Sequence, residues 1–299
     1  MTQTRIDLVE YTDPLCSVAW GAEPIFRKLR WRFGDRLNWR SAMGGLAGDL
    51  TTSREGWTRE GAAIPMSDYW KRVTRLTGMP YPKPMRIMLS STDPAGRAFH
   101  AARLQGAEVA DRLLRRMRES IFLFGKGPQT AAEFAAIAAG LDLDEPRWLA
   151  DMETPAVQAA YREDWEGART PNDFVRNFKS DAPMAGVMRH SDGRDRYDFP
   201  TLLFRGPGGE HTVPGWAPYE DYEAAMEGAL PGSTANPCPD PTPAQAFETW
   251  GVLTAKELEV LCGAEAKVPA GVVAYDWGDG LAYFTPSEAA AWGVVPAHV

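Results

Sequence analysis

The chain has 299 residues, 44% of them hydrophobic and 11% aromatic, with 32 Lys and Arg against 40 Asp and Glu for a formal net charge of −8. That apolar and aromatic content excludes a disordered chain, and three Cys exclude a disulfide-stapled scaffold. The acidic balance argues against a nucleic-acid or anionic-membrane footprint, and apolar runs such as residues 135–139 are far too short to span a bilayer.

Arg5–Tyr11 alternates polar and apolar residues, the period of a strand, and no apolar leader precedes it. With an odd number of cysteines, that opening suggests a reducing, cytoplasmic setting. Thr12-Asp13-Pro14 breaks the pattern. From Cys16 to Phe33 the apolar positions Ala19, Trp20, Ile25, Phe26, Leu29 and Phe33 take helical spacing, with Pro24 inside as a source of a kink. Leu37–Met43 reads as a second strand, and a β-α-β start predicts that the two strands are parallel. Helices are expected over Pro94–Gln105, Glu108–Phe124 and Leu149–Trp165, with a short capped one opening at Thr130-Ala-Ala-Glu133. Phe199–Arg205 and His211–Val213 form a hairpin signal across Gly206–Gly209, and Tyr219–Leu230 is amphipathic.

Pro231–Pro243 holds five prolines in thirteen residues, which predicts a stiff linker. Beyond it, Thr254-Ala-Lys-Glu257 and Thr285-Pro-Ser-Glu288 match the capping box, with Gly263 and Gly293 as stops. Val272–Tyr275 and Leu281–Phe284 flank the hairpin turn Asp276–Gly280, so this part reads as a small helix-plus-hairpin, winged-helix-like module. From Pro231 onward two Lys and no Arg face eight Asp and Glu. A module that acidic should not bind DNA; docking onto a protein partner or onto the rest of the chain fits better.

Cys16 follows a strand and a turn and sits in the first turn of a helix. Unpaired N–H groups and the helix dipole there favour a thiolate, lowering the thiol pKa from about 8.5 toward neutrality. Pro200 opens an apolar strand within Phe199-Pro200-Thr201, a position that suits a cis-proline loop beside the cysteine. The backbone of Phe199 would then pair with an incoming extended segment. Cys238 lies in the linker and should be exposed, a distant candidate for resolving Cys16, while Cys262 reads as core. His100, His190, His211 and His298 show no metal-ligand spacing, and His100 reads as a core or cleft-lining residue. Ser90–Pro94 reads as a helix cap, Trp20 as core, and Asp192–Arg196 as a solvated charged turn.

These residues resemble the DsbA family of thioredoxin-fold proteins, in the cytoplasmic FrnE-like or dithiol–disulfide isomerase-like branch. The resemblance rests on Tyr11–Gly21 with Glu23-Pro24, on Met43-Gly44-Gly45-Leu46, on Ala98–Gln105 followed by Arg112–Phe124, and on Phe199-Pro200-Thr201. It covers roughly residues 5–230. It implies an α/β thioredoxin-like domain over residues 1–46 and 180–230, an inserted α-helical domain over 47–179, a linker over 231–243 and the C-terminal module over 244–299. The length and Val252–Val260 are similar to longer members of that branch that serve as protease adaptors. The resemblance implies Cys16 as the catalytic residue, with Asp13, Pro14, Ser17, Trp20, Ser91, Phe199 and Pro200 around the substrate.

The chain departs from the family inside the motif. Redox members carry Cys-x-x-Cys, whereas here the run is Cys16-Ser17-Val18-Ala19, and Ala19 cannot resolve a mixed disulfide. The leading expectation is therefore an enzyme of monothiol type, an intracellular oxidoreductase or thiol-dependent transferase or isomerase acting on a thiol- or disulfide-containing substrate. It would hold no tightly bound cofactor and draw on a low-molecular-weight thiol such as glutathione or mycothiol. The alternatives are a non-catalytic protein adaptor that keeps the fold, and an enzyme similar to the kappa-class glutathione transferases or chromene-carboxylate isomerases.

Overall fold

The computed structural model describes residues 4–48, 63–82, 91–191, 193–276 and 280–294. Strand β1 (Ile6–Thr12), helix α1 (Ser17–Phe33) and strand β2 (Leu37–Met43) form the expected β-α-β unit, with β1 and β2 parallel from Ile6↔Leu37 to Thr12↔Met43. Strands β5 (Thr201–Gly206) and β6 (Gly209–Pro214) complete a four-stranded sheet in the order β2-β1-β5-β6, both added antiparallel. One face is covered by α1 and helix α9 (Tyr219–Ala229) through Ile6, Leu8, Phe26, Leu29, Phe204, Tyr222 and Met226. Val9, Tyr11, Ala42 and Leu203 are buried on the other, against Val73, Ala168, Val175 and Tyr197. The alternation in β1 suggests one wet face, yet every residue from Leu8 to Thr12 is buried. A strand covered on both sides has no wet face, and Glu10 is tolerated there because an arginine meets it.

Between the halves of the sheet lie α2 (Ala63–Thr77), α3 (Asp93–Arg103), α4 (Ala107–Phe122), α5 (Ala131–Ala138), α6 (Glu145–Asp151), α7 (Pro155–Ala168) and α8 (Asp173–Asn177), followed by the short pair β3 (Arg189–Ser191) and β4 (Arg194–Arg196). Helix α5 opens on the expected capping box, Thr130 and Glu133 bonding reciprocally. The single helix expected over Leu149–Trp165 is two. Thr154 caps a new helix by accepting from the Val157 N–H, and Pro155 takes the first helical position, where its missing N–H costs nothing. Helix α2 has no counterpart in the sequence expectations. Phe99, Leu113, Met117, Phe134, Trp148 and Val157 form the common core of α3–α7, and Trp148 Nε1 donates to Ala98 O at 2.8 Å.

The proline-rich stretch is not a free spacer. Its first residues turn, and its backbone is strapped along α1. Arg36 donates to the carbonyls of Ser233, Ala235 and Asn236, the Cys238 N–H donates to Arg32 O at 3.1 Å, and Trp31 Nε1 donates to Pro239 O at 2.7 Å. After it come α10 (Pro243–Trp250), β7 (Val252–Thr254), α11 (Ala255–Cys262), β8 (Val273–Asp276), β9 (Leu281–Phe284) and α12 (Pro286–Trp292), with an antiparallel sheet in the order β7-β9-β8. Helix α10 carries a capping box of its own, Thr242 with Gln245. The expected hairpin is present, its turn residues 277–279 lying outside the described residues, as do Ser90, Asp192 and His298. Gly263 (φ +93°) and Gly293 (φ +63°) end α11 and α12 in backbone conformations open to glycine.

This C-terminal part shares a core with the rest of the chain: Val252, Ala282, Phe284 and Ala289 pack with Trp20, Trp70, Phe122 and Leu123. Its acidity has a direct use. Glu257 receives a bidentate bond from Arg115 (2.8 and 3.0 Å) and lies 3.3 Å from Arg27 Nε, and Glu288 pairs with Arg116 at 2.7 Å. At the centre of the same contact Arg118 donates to Glu23, to Glu10 (3.2 Å) and to Thr12 Oγ1 (2.6 Å). Burial of these charges is compensated by one another and by neighbouring polar groups such as Thr12 Oγ1, Val252 O and the Thr254 N–H.

Candidate functional site

Cys16 is the N-cap of α1, with extended backbone (φ −72°, ψ 106°), and its own N–H donates to Asp13 O at 3.0 Å. Its Sγ accepts from the Ala19 N–H at 3.4 Å, the helix-terminal contact expected. The expected depression of its pKa is reversed. The side chain is only 5% exposed, burial pushes the thiol up to about 12, and the carboxylates of Asp198 and Asp13 add to the rise. One amide donor and the more distant charge of Arg118 do not offset the desolvation. At neutral pH Cys16 is a protonated thiol, and it donates to Phe199 O at 3.2 Å.

That bond bears on the Phe199–Pro200 loop, whose peptide bond is cis. Backbone pairing with an incoming segment requires Phe199 to offer its free polar groups. Its carbonyl is taken by Cys16, and its N–H donates to Asp198 Oδ1 at 3.1 Å. The ring is 2% exposed and packs on Gly44, where an added Cβ would lie 2.1 Å from Phe199 Cζ. Gly44→Ala should therefore displace the ring and lower stability by about 1–3 kcal/mol, read as a shift in denaturant midpoint with an unchanged slope.

The structure brings Cys16, Asp13, Ser17, Phe199 and Pro200 together but gives several of them structural work. Asp13 is 1% exposed and accepts from the backbone N–H of Leu15 (2.9 Å) and Leu46 (2.8 Å), tying the turn to the segment after β2. Pro14 is buried in that turn. Ser17 is buried too and hydrogen-bonds the Tyr69 hydroxyl. Trp20 lies outside the site. It stacks on Phe122 (centroids 5.5 Å apart), carries the Arg115 guanidinium 4.5 Å above its ring and donates to Pro80 O at 2.8 Å, all inside the core. Ser91 serves the cap of α3, its Oγ accepting from the Asp93 N–H at 3.1 Å, and its N–H and C=O face Gln129.

Cys238 cannot reach Cys16. It is exposed and bonded to Arg32, sixteen residues along α1, which at 1.5 Å per residue places it about 24 Å away. Cys262 is half-buried at the rim of the Phe247, Leu253 and Leu258 cluster rather than within it. His100 is buried with Nε2 3.0 Å from Asp164 Oδ2. No group of three or more His, Cys, Asp or Glu that could hold a metal occurs among the described residues.

Two residues beside the thiol escape the sequence reading. Tyr69 on α2 is pushed up to about 12 by burial, with the Asp198 carboxylate adding to the rise, and Asp198 accepts from Arg189 Nε at 2.8 Å. Asp198 directly precedes Phe199-Pro200, a signal that position alone offers. The one signal available for Tyr69 is the helical spacing of Tyr69, Trp70, Val73 and Thr77.

Burial raises Asp13 from 3.8 to about 6, so the native state holds a proton there that the unfolded chain has released. Its contribution therefore destabilises fully above pH 6 and is relieved, by about 3 kcal/mol, as pH falls to 4. Glu23 has the opposite sign. Buried between Arg118, Arg115 and Arg27, it is lowered from 4.5 to about 2 despite desolvation, and its support disappears only below pH 4.5. Urea midpoints between pH 7 and pH 4 should show Asp13→Asn lacking the acid-side gain that the wild type has.

A family model described as Thioredoxin matches residues 10–171 of this chain. A ClpXP adapter protein SpxH from Shouchella clausii is 24% identical over 261 residues, covering 86% of this chain and 77% of that protein. The SpxH of Bacillus subtilis is 25% identical over 264 residues, covering 86% and 78%. Among solved structures, a Nitrosomonas europaea chain described as a protein disulfide isomerase aligns with a TM-score of 0.57 at 16% identity, over 75% of this chain and 96% of that one. The cytosolic disulfide reductase DsbM of Pseudomonas aeruginosa aligns with a TM-score of 0.51 at 16% identity, over 74% and 93%. At that identity these likenesses are likenesses of fold.

Proposed function

This chain belongs to the thioredoxin family, and from that premise we propose that it is a protein-binding scaffold of adaptor type, in which Cys16 is a structural thiol. The observation that carries the reading is the bond from Cys16 Sγ to Phe199 O: the thiol and the backbone that would receive a substrate satisfy one another. Ala19 supports it, since the site has no second thiol to complete a redox cycle. The SpxH relatives, described as adapters, point the same way. The proposal takes the protein to act in the cytoplasm, where its three cysteines, all unpaired, stay reduced.

A second reading is favoured by one contact, the Ala19 N–H 3.4 Å from Sγ at a helix N-terminus. After local opening, Cys16 loses its proton to solvent and its thiolate attacks a substrate disulfide. One S–S bond forms as another breaks, and the expelled sulfur leaves as a thiolate. A low-molecular-weight thiol such as glutathione or mycothiol then attacks the mixed disulfide and regenerates Cys16.

One assay separates the two. A disulfide-bonded protein is incubated with reduced glutathione and either wild type or Cys16→Ala. The scaffold reading expects both to match the uncatalysed rate. Acceleration by the wild type that Cys16→Ala abolishes would replace it with the second.

A further inference from the structure

Strand β6 ends the sheet, and the backbone on its open side has a definite identity. The β5–β6 register pairs Leu202 with Val213 and Phe204 with His211, and beyond it the Gly215 N–H donates to Pro200 O at 2.7 Å. In an antiparallel ladder the residues that exchange hydrogen bonds alternate with residues whose N–H and C=O point away. Gly215, Val213 and His211 therefore face β5, while Pro214, Thr212 and Glu210 face outward. Proline fits the series, since an outward position needs no donor. Among the described residues no hydrogen bond is made by the backbone N–H or C=O of Glu210 or Thr212.

A groove of about 770 Å³ runs beside this edge. On the α8 side stand Phe174, 53% exposed, and Phe178, whose rings stack 5.8 Å apart, and on the α9 side Trp216. Its lining holds three carboxylates, those of Asp173, Glu210 and Asp221, and no Lys or Arg. Arg205 pairs with Glu210 at 2.6 Å from the neighbouring strand, which leaves Asp173 and Asp221 exposed and without an ion-pair partner among the described residues.

We infer that this edge binds an extended, cationic segment of a partner protein as a fifth, added strand. An open edge is a template for an incoming backbone, which bonds to Thr212 and Glu210. Alternate side chains of that segment then fall on opposite sides. Apolar ones lie on Phe174 and Phe178, and basic ones reach Asp221. The groove lining includes neither Cys16 nor Phe199-Pro200, so the proposal does not draw on the chemistry of that thiol.

The probe is a blocked seven-residue peptide of alternating valine and lysine, followed by fluorescence anisotropy on the full-length protein. Three controls accompany it: the same peptide with glutamate for lysine, the same peptide N-methylated at alternate amides, and the variant Thr212→Pro. That substitution removes an outward donor and no ladder bond; the bond that Thr212 Oγ1 accepts from Asn172 Nδ2 (2.8 Å) is lost as well, so Thr212→Val, which loses only that bond, accompanies it and should bind like the wild type. Binding should weaken about tenfold or more in each of the three controls, and the Thr212 amide should gain hydrogen-exchange protection with the parent peptide. Equal binding of the lysine and glutamate peptides, indifference to N-methylation, or no binding would overturn the inference. A chain that instead dimerises through this edge, losing its dimer on Thr212→Pro, would also overturn it.

Discussion

Native Cys16 should react with iodoacetamide at pH 8 roughly 100-fold more slowly than the same residue in the urea-unfolded chain. With the pKa pushed up to about 12, only about one Cys16 in ten thousand is a thiolate at that pH, against about one in four for an unperturbed thiol near 8.5. The more basic thiolate is the better nucleophile, and a Brønsted slope of about 0.4–0.5 recovers some tens-fold of that loss. Burial to 5% exposure then removes access as well. Exposed Cys238 serves as an internal reference, since its labelling should change little on unfolding. Mass-spectrometric mapping of carbamidomethylation against time provides the measurement. Labelling of native Cys16 as fast as Cys238 would show an open, activated thiol and support monothiol chemistry.

The second large effect concerns Arg118. Its guanidinium, 3% exposed, bonds Glu23, Glu10 and Thr12, and Arg118→Met strips the positive charge from two buried carboxylates. Removing one partner of a buried ion network costs about 3–5 kcal/mol, and the lower end applies here because Arg115 and Arg27 still face Glu23 and Arg30 lies 3.9 Å from Glu10. In a chain of this size that corresponds to a fall in Tm of roughly 5 °C. Arg147, mostly exposed and paired with Asp151 at 3.5 Å, is the control: Arg147→Met should cost under about 1 kcal/mol. Adding Glu23→Gln to Arg118→Met should recover part of the loss, and the recovered part measures the coupling between the two. Equal effects of the two arginine variants would mean that solvent reaches the network.

The elements at both ends of the chain were legible because their signals are local. Thr130, Thr254 and Thr285 announce helices by their caps, and Ile6–Thr12, Leu37–Met43 and the Gly206–Gly209 turn announce strands by alternation and turn chemistry. The fold followed from the order of those signals together with the resemblance around Cys16 and Pro200. The state of the site did not. A cysteine at a helix start carries the same sequence signal whether it is open or covered. What covers this one, Phe199 O and the Asp198 charge, lies about 180 residues away in the chain, and Tyr69 stands on a helix that the sequence reading missed. Similarly, Arg112, Arg115, Arg116 and Arg118 all fall on the helix expected over Glu108–Phe124, with nothing in the sequence to tell them apart. Only the folded chain separates Arg115, Arg116 and Arg118, which are spent on Glu257, Glu288, Glu23 and Glu10, from exposed Arg112.

The shared core of Trp20, Trp70 and Phe122 with Val252, Phe284 and Ala289 sets an order of events during synthesis. A nascent chain translated as far as residue 230 can assemble its four-stranded sheet. It still presents indole and phenyl surface to the ribosome exit and to any chaperone waiting there, along with arginines whose glutamate partners have not been made. Closure waits for hairpin β8–β9 and helix α12 to emerge, so this core should form only once residues 252–292 have left the exit tunnel.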